Sequence, residues 1–372
     1  MTNATVFLAV AGAGKTYSIA QGIDPSKRNL ILSYTHENIL NLSTEITKKW
    51  GAIPEKTRIM TFDYFLISAF ARPFLRRIQA EIFGKTPEEI TRIDLFPLPS
   101  VNPNDGKTFI LNSPKYFCHY FSGNKGNYAL RLDSCADLPL MDKTFKDGKT
   151  LFQTAMDRLN QFFDCYYIDE FQDYRKSRFD LMVKIMQSVP QGFMYGDYFQ
   201  HSVMGTNNSG KPFLKNTTYI SFKKDLSKLG FKVDETTLSK TRRCSGQVCA
   251  FIQSNLKINI LPDLSLGRVG NVYDCFQKNA LASAIKNKKI QVLSLKPEYE
   301  IGSMSFGVSK GDTFENTVVV LPETCISINS QGNKTINPYL EGIPRNKVYV
   351  ALSRATGDVY LTDFETAKSI LG

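Results

Sequence analysis

The stretch TVFLAVAGAGKTYSI, residues 5–19, constrains the fold more than any other part of the chain. The apolar run Val6–Val10 predicts a buried strand, and a turn of small residues then leads into a helix that is expected to begin at Lys15. Small residues let backbone N–H groups face an anion, and the helix N-terminus adds its dipole. This order fits the P-loop pattern, with Ala9 where glycine is commoner. The residues expected to contact phosphates are Ala11, Gly12, Ala13, Gly14, Lys15 and Thr16.

The positive charge of the chain is concentrated in one region. The net charge is +11, and residues 201–300 hold 16 Lys and Arg against 7 Asp and Glu. Such a surface favours a polyanion such as nucleic acid, and a solvated lysine-rich face is the alternative that charge leaves open. Seven scattered cysteines and only three histidines predict reduced thiols and no structural zinc. Since no apolar run approaches ~18 residues, we expect a cytoplasmic protein without a signal peptide.

Strands alternate with helices along much of the chain, which predicts an α/β fold with parallel sheets. The first predicted strands are Val6–Val10, Leu30–Ser33, Arg58–Thr61, Cys165–Ile168 and one ending at Gly196. A second alternating region has predicted strands at Thr236–Leu238, Lys289–Leu295, Asn316–Leu321 and Asp358–Thr362. Residues 66–150 interrupt the pattern with aromatics, prolines and polar turns such as SGNKGN, and we expect an inserted, mostly helical subdomain there.

An acidic turn, DEFQD, follows the predicted strand Cys165–Ile168. Asp169 is expected to hold Mg²⁺ together with the Thr16 hydroxyl, and Glu170 is expected to polarise an attacking water. An isolated Asp-Glu pair after a strand is common. One that lies about 150 residues after a P-loop and extends to DEFQD is much more specific.

DEFQD resembles the second motif of superfamily 1 helicases of the UvrD/Rep type. Seven further strings follow the order of that family's motifs: AVAGAGKT, SYTHEN, MTFDYF, GDYFQ, LSKTRRCS, VSKGDTFENTVVV and VYVALSRAT. The resemblance implies two RecA-like P-loop NTPase domains with parallel sheets, residues 1–65 with 151–205 and residues 206–372, and an insertion at 66–150. It also implies ATP and Mg²⁺ in the cleft between the domains and a single strand of nucleic acid across them.

The resemblance implies roles for single residues of the nucleotide site. Gln200 is expected to sense the γ-phosphate, and Arg243 and Arg354 are expected to reach it across the cleft, although Arg242 adjoins Arg243. The nucleotide-binding string near the C-terminus contributes Lys310, Gly311 and Glu315. This string departs from the family, which places its glutamate three residues after the lysine, where this chain has threonine.

The resemblance also implies contacts with nucleic acid. The residues in or beside the corresponding strings are Tyr34, Thr35, His36, Thr61, Phe62 and Tyr198. Aromatic faces stack on bases without regard to sequence, and hydroxyls hold phosphates. For each of these side chains the alternative to contact with nucleic acid is burial in a core, and this alternative is strongest for Phe62.

The implied function is a nucleic-acid-stimulated ATPase that translocates on single-stranded DNA, 3′ to 5′, and acts as a DNA helicase. Only about 65 residues separate Arg243 from Lys310, so the family's large accessory subdomain is expected to be absent or rudimentary. One alternative is a helicase-like ATPase that serves as a regulatory or scaffold partner, for example of a nuclease in phage defence. Another is a nucleoside or small-molecule kinase, which shares only the P-loop and leaves DEFQD, GDYFQ and ALSRAT unexplained.

Overall fold

The computed structural model describes residues 2–82, 84, 90–94, 100–101, 108–109, 117–122, 125–131, 138–201, 212–213 and 217–372. Contacts divide the chain into two compact units. Unit 1 comprises Met1–Thr5, Ile19–Met194 and Asp225–Lys232, and unit 2 comprises Val6–Ser18, Tyr195–Lys224 and Val233–Gly372. The P-loop residues therefore belong to unit 2, together with the C-terminal part of the chain. The domain boundaries expected from the sequence stay a prediction.

The strands, in chain order, are β1 (Ala4–Leu8), β2 (Asn29–Ser33), β3 (Thr57–Thr61), β4 (Ile90–Asp94), β5 (Ser100–Val101), β6 (Thr108–Phe109), β7 (Phe117–Ser122), β8 (Lys125–Arg131), β9 (Cys165–Ile168), β10 (Gln191–Gly196), β11 (Lys232–Asp234), β12 (Lys240–Thr241), β13 (Leu261–Pro262), β14 (Val272–Asp274), β15 (Ile290–Ser294), β16 (Met304–Ser305), β17 (Asn316–Val320), β18 (Ile326–Ile328), β19 (Lys334–Ile336) and β20 (Val359–Thr362).

The α-helices are α1 (Lys15–Gly22), α2 (His36–Trp50), α3 (Phe62–Phe65), α4 (Leu75–Arg77), α5 (Leu138–Met141), α6 (Leu151–Phe162), α7 (Lys176–Ser188), α8 (Tyr219–Lys228), α9 (Gly246–Leu256), α10 (Lys278–Ile285), α11 (Gly342–Leu352) and α12 (Phe364–Leu371). Among the residues with a described position, no helix has the length and apolar character needed to cross a lipid bilayer.

The first sheet contains parallel strands, of which β2 and β9 are buried on both faces. β2 pairs with β3 and with β9, so that Leu32 lies opposite Met60 on one side and Ile168 on the other. All residues of β2 and β9 are buried, as expected when helices cover both faces of a parallel sheet. The full strand order is β11–β1–β10–β9–β2–β3. The strands predicted at 30–33, 58–61 and 165–168 are confirmed.

Among the described residues of segment 66–150, helices lie only near its two ends, which corrects the expectation of a mostly helical insertion. Its first part continues α3 through π-helical and 3-10 turns to Ile82. The described residues from Ile90 to Arg131 are strands, with β7 antiparallel to β8, β4 parallel to β8, and β5 antiparallel to β6. The sequences FCHYFS and KGNYALR contain aromatic residues and are separated by Gly-Asn, a combination that favours a hairpin over a helix.

Unit 2 contains a second parallel sheet, with the strand order β14–β20–β17–β15–β16. Every residue of β17 is buried. One part of the core of this unit brings together Val318 of β17, Tyr360 of β20, Leu281 of α10 and Ala367 of α12. β15, β17 and β20 confirm the strands predicted at 289–295, 316–321 and 358–362. The prediction of an α/β fold with parallel sheets is therefore correct.

The strand predicted at Thr236–Leu238 is wrong, because Asp234 turns the chain there. Its Oδ1 accepts hydrogen bonds from the backbone N–H groups of Thr236 and Thr237, each at 2.9 Å, and its Oδ2 accepts one from the Thr237 hydroxyl at 2.7 Å. Such local side-chain bonds compete with the backbone pairing of a strand. The next strand, β12, begins only at Lys240.

Candidate functional site

The P-loop turn in unit 2 requires glycine at Gly12. Gly12 and Gly14 have φ angles of +71° and +85°, in the region that L-residues with a Cβ disfavour. A Cβ on Gly12 would also lie 2.7 Å from Thr241 Oγ1 and 2.8 Å from the Cβ of Arg243, whereas one on Gly14 would meet nothing closer than 3.7 Å. The turn at Gly12 therefore packs directly against the segment that carries Arg243.

A backbone hydrogen bond joins this segment to the P-loop, and a side-chain bond orders the segment itself. The Arg242 N–H donates to the carbonyl of Gly12 at 2.9 Å, and the Arg243 N–H donates to Thr241 Oγ1 at 3.2 Å. The two adjacent arginines diverge. The Arg242 guanidinium lies over the exposed ring of Tyr17, 5.0 Å from its centroid, whereas Arg243 Nη1 donates to the carbonyl of Ser353 at 3.0 Å. Arg243 is thus the member of the pair that links the P-loop segment to the end of α11.

Arg354, just after α11, is almost completely buried, with 1% of its surface exposed. Its Nε donates to the carbonyl of Val350 at 2.9 Å, and its terminal nitrogens donate to the carbonyl of Ser309 and the hydroxyl of Ser353. Burial, and to a smaller extent the positive charge of Arg243, lowers the pKa of Arg354 to about 9. These conditions disfavour the guanidinium cation, so a nearby anion would stabilise it.

The string near the C-terminus that is predicted to bind nucleotide lies next to Arg354. The Phe314 N–H donates to the carbonyl of Arg354 at 2.9 Å, and the Gly357 N–H donates to the carbonyl of Glu315 at 2.8 Å. Gly311 has a φ of +102° and Glu315 is exposed, and the Lys310 N–H donates to the carbonyl of Gly307 at 3.2 Å. The structure thus places the predicted residues Lys310, Gly311 and Glu315 on the segment that packs against Arg354, and their contact with nucleotide stays a prediction.

Two residues that the sequence did not single out connect the P-loop to Gln200. The Ala11 N–H donates to the Tyr349 hydroxyl at 2.8 Å, and that hydroxyl donates to Asp197 Oδ2 at 3.2 Å. Asp197 Oδ2 also accepts from Gln200 Nε2 at 2.7 Å, and its Oδ1 accepts from the Phe199 N–H at 3.0 Å. Tyr349 and Asp197 lie inside the strings VYVALSRAT and GDYFQ, which are the only sequence signal for them.

The acidic pair lies in unit 1, at the carboxyl end of β9. Asp169 is 2% exposed and its Oδ2 accepts a hydrogen bond from the Ser33 hydroxyl at 3.4 Å. Glu170 has a φ of +52°, a conformation uncommon outside glycine that occurs preferentially at functional sites, and its carboxylate accepts a bond from Gln172 Nε2. Lys15 and Thr16 belong to unit 2. The predicted metal pair of Thr16 and Asp169 stays a prediction.

Of the six residues predicted to contact nucleic acid, Thr35 and Thr61 are helix N-caps. Thr35 Oγ1 accepts from the Asn38 N–H at the start of α2, and Thr61 Oγ1 accepts from the Tyr64 N–H at the start of α3. Tyr34 and His36 flank Thr35 and are exposed. These four residues stand at the carboxyl ends of β2 and β3 or directly after them, the edge of a parallel sheet where ligands commonly bind.

The burial of Phe62 and Tyr198 disagrees with the prediction that their rings stack on bases. Phe62 is 2% exposed and packs edge to face on Tyr174, with the ring centroids 4.8 Å apart. Tyr198 is 3% exposed, its ring contacts Phe213 and Phe222, and its hydroxyl donates to the carbonyl of Thr217 at 2.6 Å. Both side chains fill cores, because each meets aromatic partners from other segments.

The fold and the site together define a mixed α/β protein with parallel sheets and a P-loop. No protein-family model and no curated protein matches the chain. Among solved structures it is similar to the PRRSV helicase, with 14% identity and a TM-score of 0.41 over 97% of this chain and 52% of that one. It is also similar to the Arterivirus nonstructural protein 10 helicase alone, with 15% identity and a TM-score of 0.41 over all of this chain and 62% of that one.

The complex of the Arterivirus helicase with DNA is another similar structure, with 14% identity and a TM-score of 0.43 over all of this chain and 63% of that one. The chain thus spans between 52% and 63% of the length of these helicases. Since the TM-scores are below 0.5, functional inference rests on the chain's own residues.

Proposed function

We propose that the protein is a superfamily 1 NTPase that hydrolyses ATP with Mg²⁺ and moves along single-stranded nucleic acid. One observation carries the proposal above others. In unit 2 the P-loop glycine Gly12 packs against Arg243, and the neighbouring Ala11 N–H is bonded to Tyr349, five residues before Arg354. A P-loop in direct contact with two segments that carry arginines suits phosphoryl transfer, because guanidinium groups neutralise charge on the transferred group.

The residues present fit a nucleoside triphosphate with its metal. The positive φ angles of Gly12 and Gly14 shape a turn of small residues at the N-terminus of α1, where backbone N–H groups attract phosphate. Lys15 would bind the outer phosphates, Thr16 and Asp169 would hold Mg²⁺, and Glu170 would orient water. ATP, when bound, supplies the phosphoanhydride bond whose hydrolysis is to be catalysed. Gln200, Arg243 and Arg354 would respond to the γ-phosphate.

Charge and the motif strings support a nucleic-acid substrate, the preference for DNA and the helicase activity. Residues 201–300 carry 16 basic against 7 acidic residues, which favours a polyanion. The UvrD/Rep-like strings favour DNA over RNA, 3′ to 5′ movement and helicase activity. Five cysteines, Cys165, Cys244, Cys249, Cys275 and Cys325, are buried free thiols, which fits a reducing compartment such as the cytoplasm.

The test is the rate of ATP hydrolysis with no strand, with single-stranded DNA and with single-stranded RNA. We expect single-stranded DNA to stimulate turnover, and we expect K15A to remove the stimulated rate. K27A, which changes an exposed lysine that donates to Gln191, serves as the matched control and should hydrolyse ATP like the wild type. A rate that no strand changes would favour the scaffold alternative, and no hydrolysis at all would contradict the proposed function.

A further inference from the structure

The hydroxyl of Tyr349 joins two parts of the nucleotide site that are far apart in sequence. Tyr349 is fully buried on α11, and its hydroxyl accepts from the backbone N–H of Ala11 and donates to the carboxylate of Asp197. Ala11 begins the P-loop turn, whereas Asp197 directly follows β10. These two residues are 186 positions apart, and Tyr349 lies 152 positions beyond Asp197.

Asp197 extends this hydrogen-bond network to Gln200. Its Oδ2 accepts both the Tyr349 hydroxyl, at 3.2 Å, and Gln200 Nε2, at 2.7 Å. Asp197 and Gln200 are buried, at 0% and 3% exposure, so water competes little for these bonds. Asp197 Oδ2, which accepts a hydrogen bond from Tyr349, therefore also orients the Gln200 amide.

The direction of the bonds is fixed by the chemistry of the hydroxyl. Burial, together with the negative charge of Asp197, raises the pKa of Tyr349 well above its usual value. The hydroxyl therefore keeps its proton and donates a hydrogen bond to Asp197, while one of its lone pairs accepts a hydrogen bond from the Ala11 N–H. Phenylalanine would keep the ring but leave a buried N–H without this acceptor and a carboxylate without this donor, which is costly.

We propose that Tyr349 is a positioning residue, whose hydroxyl fixes the P-loop turn and Gln200 in one mutual arrangement. The inference rests on the proposed function, because it gives Gln200 its role at the γ-phosphate. α11 also precedes Arg354, whose Nε donates to the carbonyl of Val350, the residue after Tyr349. One helix thus orders the turn that binds phosphate, the glutamine expected to sense it and the arginine expected to neutralise it.

The test is a double-mutant cycle on strand-stimulated ATP hydrolysis with Y349F, Q200A and the double variant. We expect Y349F to lower kcat by roughly 10- to 100-fold. If Tyr349 acts through Gln200, the double variant should be within about threefold of the slower single variant. Assays run well below the Tm of each variant, so that only folded protein is compared. Y360F is the matched control, because Tyr360 is also a core residue of unit 2 and its hydroxyl also donates to an aspartate, Asp358, at 2.9 Å; its kcat should equal that of the wild type.

A kcat for Y349F within twofold of the wild type would overturn the inference, and so would losses that multiply in the double variant, as for two independent residues. If Y349F fails to fold, D197N tests the same hydrogen-bond network. The kcat of the D197N, Q200A double variant should then be close to that of the slower single variant. Losses of kcat that multiply would again overturn the inference. Wild-type turnover that K15A abolishes shows that the proposed function holds, so a failed cycle then counts against Tyr349 alone. A wild type without turnover would overturn both.

Discussion

The P-loop region of unit 2 and the predicted strand-binding residues of unit 1 both come from motif strings, yet their residues have different surroundings. Around the P-loop, Gly12 and Ala11 contact Thr241, Arg243 and Tyr349, all more than 200 residues away in sequence. In unit 1, Thr35 and Thr61 are bonded to backbone N–H groups only three residues further on. Long-range contact indicates a site that the fold assembles, whereas a local cap explains a motif residue without any ligand.

The largest expected effects concern the proposed chemistry, for which Lys15 of unit 2 and Glu170 of unit 1 have different predicted roles. K15A should lower ATP hydrolysis by about 10²-fold or more and weaken nucleotide binding, because it removes the cation of the P-loop. E170Q should lower hydrolysis by ~10²–10⁴-fold and leave nucleotide binding intact, because it changes only the group that acts on water. Equilibrium binding of a fluorescent nucleotide, measured together with turnover, distinguishes the effect of K15A from that of E170Q. Loss of binding in E170Q would make Glu170 a structural ligand.

The stability of glycine variants measures how tightly the P-loop packs on its distant partners. G12A should lower the free energy of unfolding by roughly 2–4 kcal/mol, since strain at positive φ adds to overlap with Thr241 and Arg243. G14A should lower the free energy of unfolding by about 1–2 kcal/mol, because its Cβ adds strain at positive φ without overlapping a neighbour. G22A, at the end of α1 with nothing within 4 Å, should stabilise by up to ~1 kcal/mol. Urea denaturation checks this order. Equal losses in G12A and G14A would contradict the packing of Gly12 on Arg243.

In unit 1, a pair of aromatic variants separates a core residue from a surface residue. F62A should lower the free energy of unfolding by about 3–5 kcal/mol, because Phe62 is buried against Tyr174. Y34A should change stability by less than about 1 kcal/mol, because Tyr34 is 41% exposed. We expect Y34A instead to weaken binding of single-stranded DNA by about 1–3 kcal/mol. Fluorescence anisotropy with a labelled strand measures the binding. Unchanged affinity in Y34A would remove Tyr34 from the nucleic-acid site.

The smallest effect concerns the turn that replaces the predicted strand at 236–238. Burial raises the pKa of Asp234, but bonds from the backbone and hydroxyl groups of Thr237 and Thr236 outweigh it and lower the pKa to about 2. The folded pKa lies below the unfolded one, so this stabilisation is present above pH ~4 and is lost as the pH falls through about 2. D234A should therefore cost about 1 kcal/mol at pH 7 and less at pH 2. Equal losses at both pH values would contradict this account.

The fold was largely predictable from the sequence, because parallel strands buried on both faces read as apolar runs such as NLILS and NTVVV. The P-loop was predictable because its turn needs small residues at fixed spacing. The strands at 90–131 and the turn at Asp234 were not predicted, since short aromatic segments and local side-chain bonds leave weak periodicity.

The part of the site that was not predicted depends on contacts distant in sequence. Nothing local marks Tyr349 as the partner of Ala11, and the burial of Tyr198 depends on Phe213 and Phe222, 15 and 24 residues later. Conversely, Thr35 has a local signal: a threonine directly before a helix is a common N-cap. Motif strings therefore predicted which segments meet around the P-loop better than they predicted the contacts of individual side chains.

The turnover of Arg354 variants tests most directly whether the P-loop and the distant arginines form one catalytic site. R354A should keep nucleotide affinity within about tenfold and lower strand-stimulated kcat by ~10³, the scale of an arginine that stabilises phosphoryl transfer. R354K should restore little, because an ammonium lacks the planar fork. Since Arg354 is buried, each variant is assayed below its own Tm. Full kcat in a folded R354A protein would contradict the account, because the arginine at the end of α11 would then have no part in the chemistry.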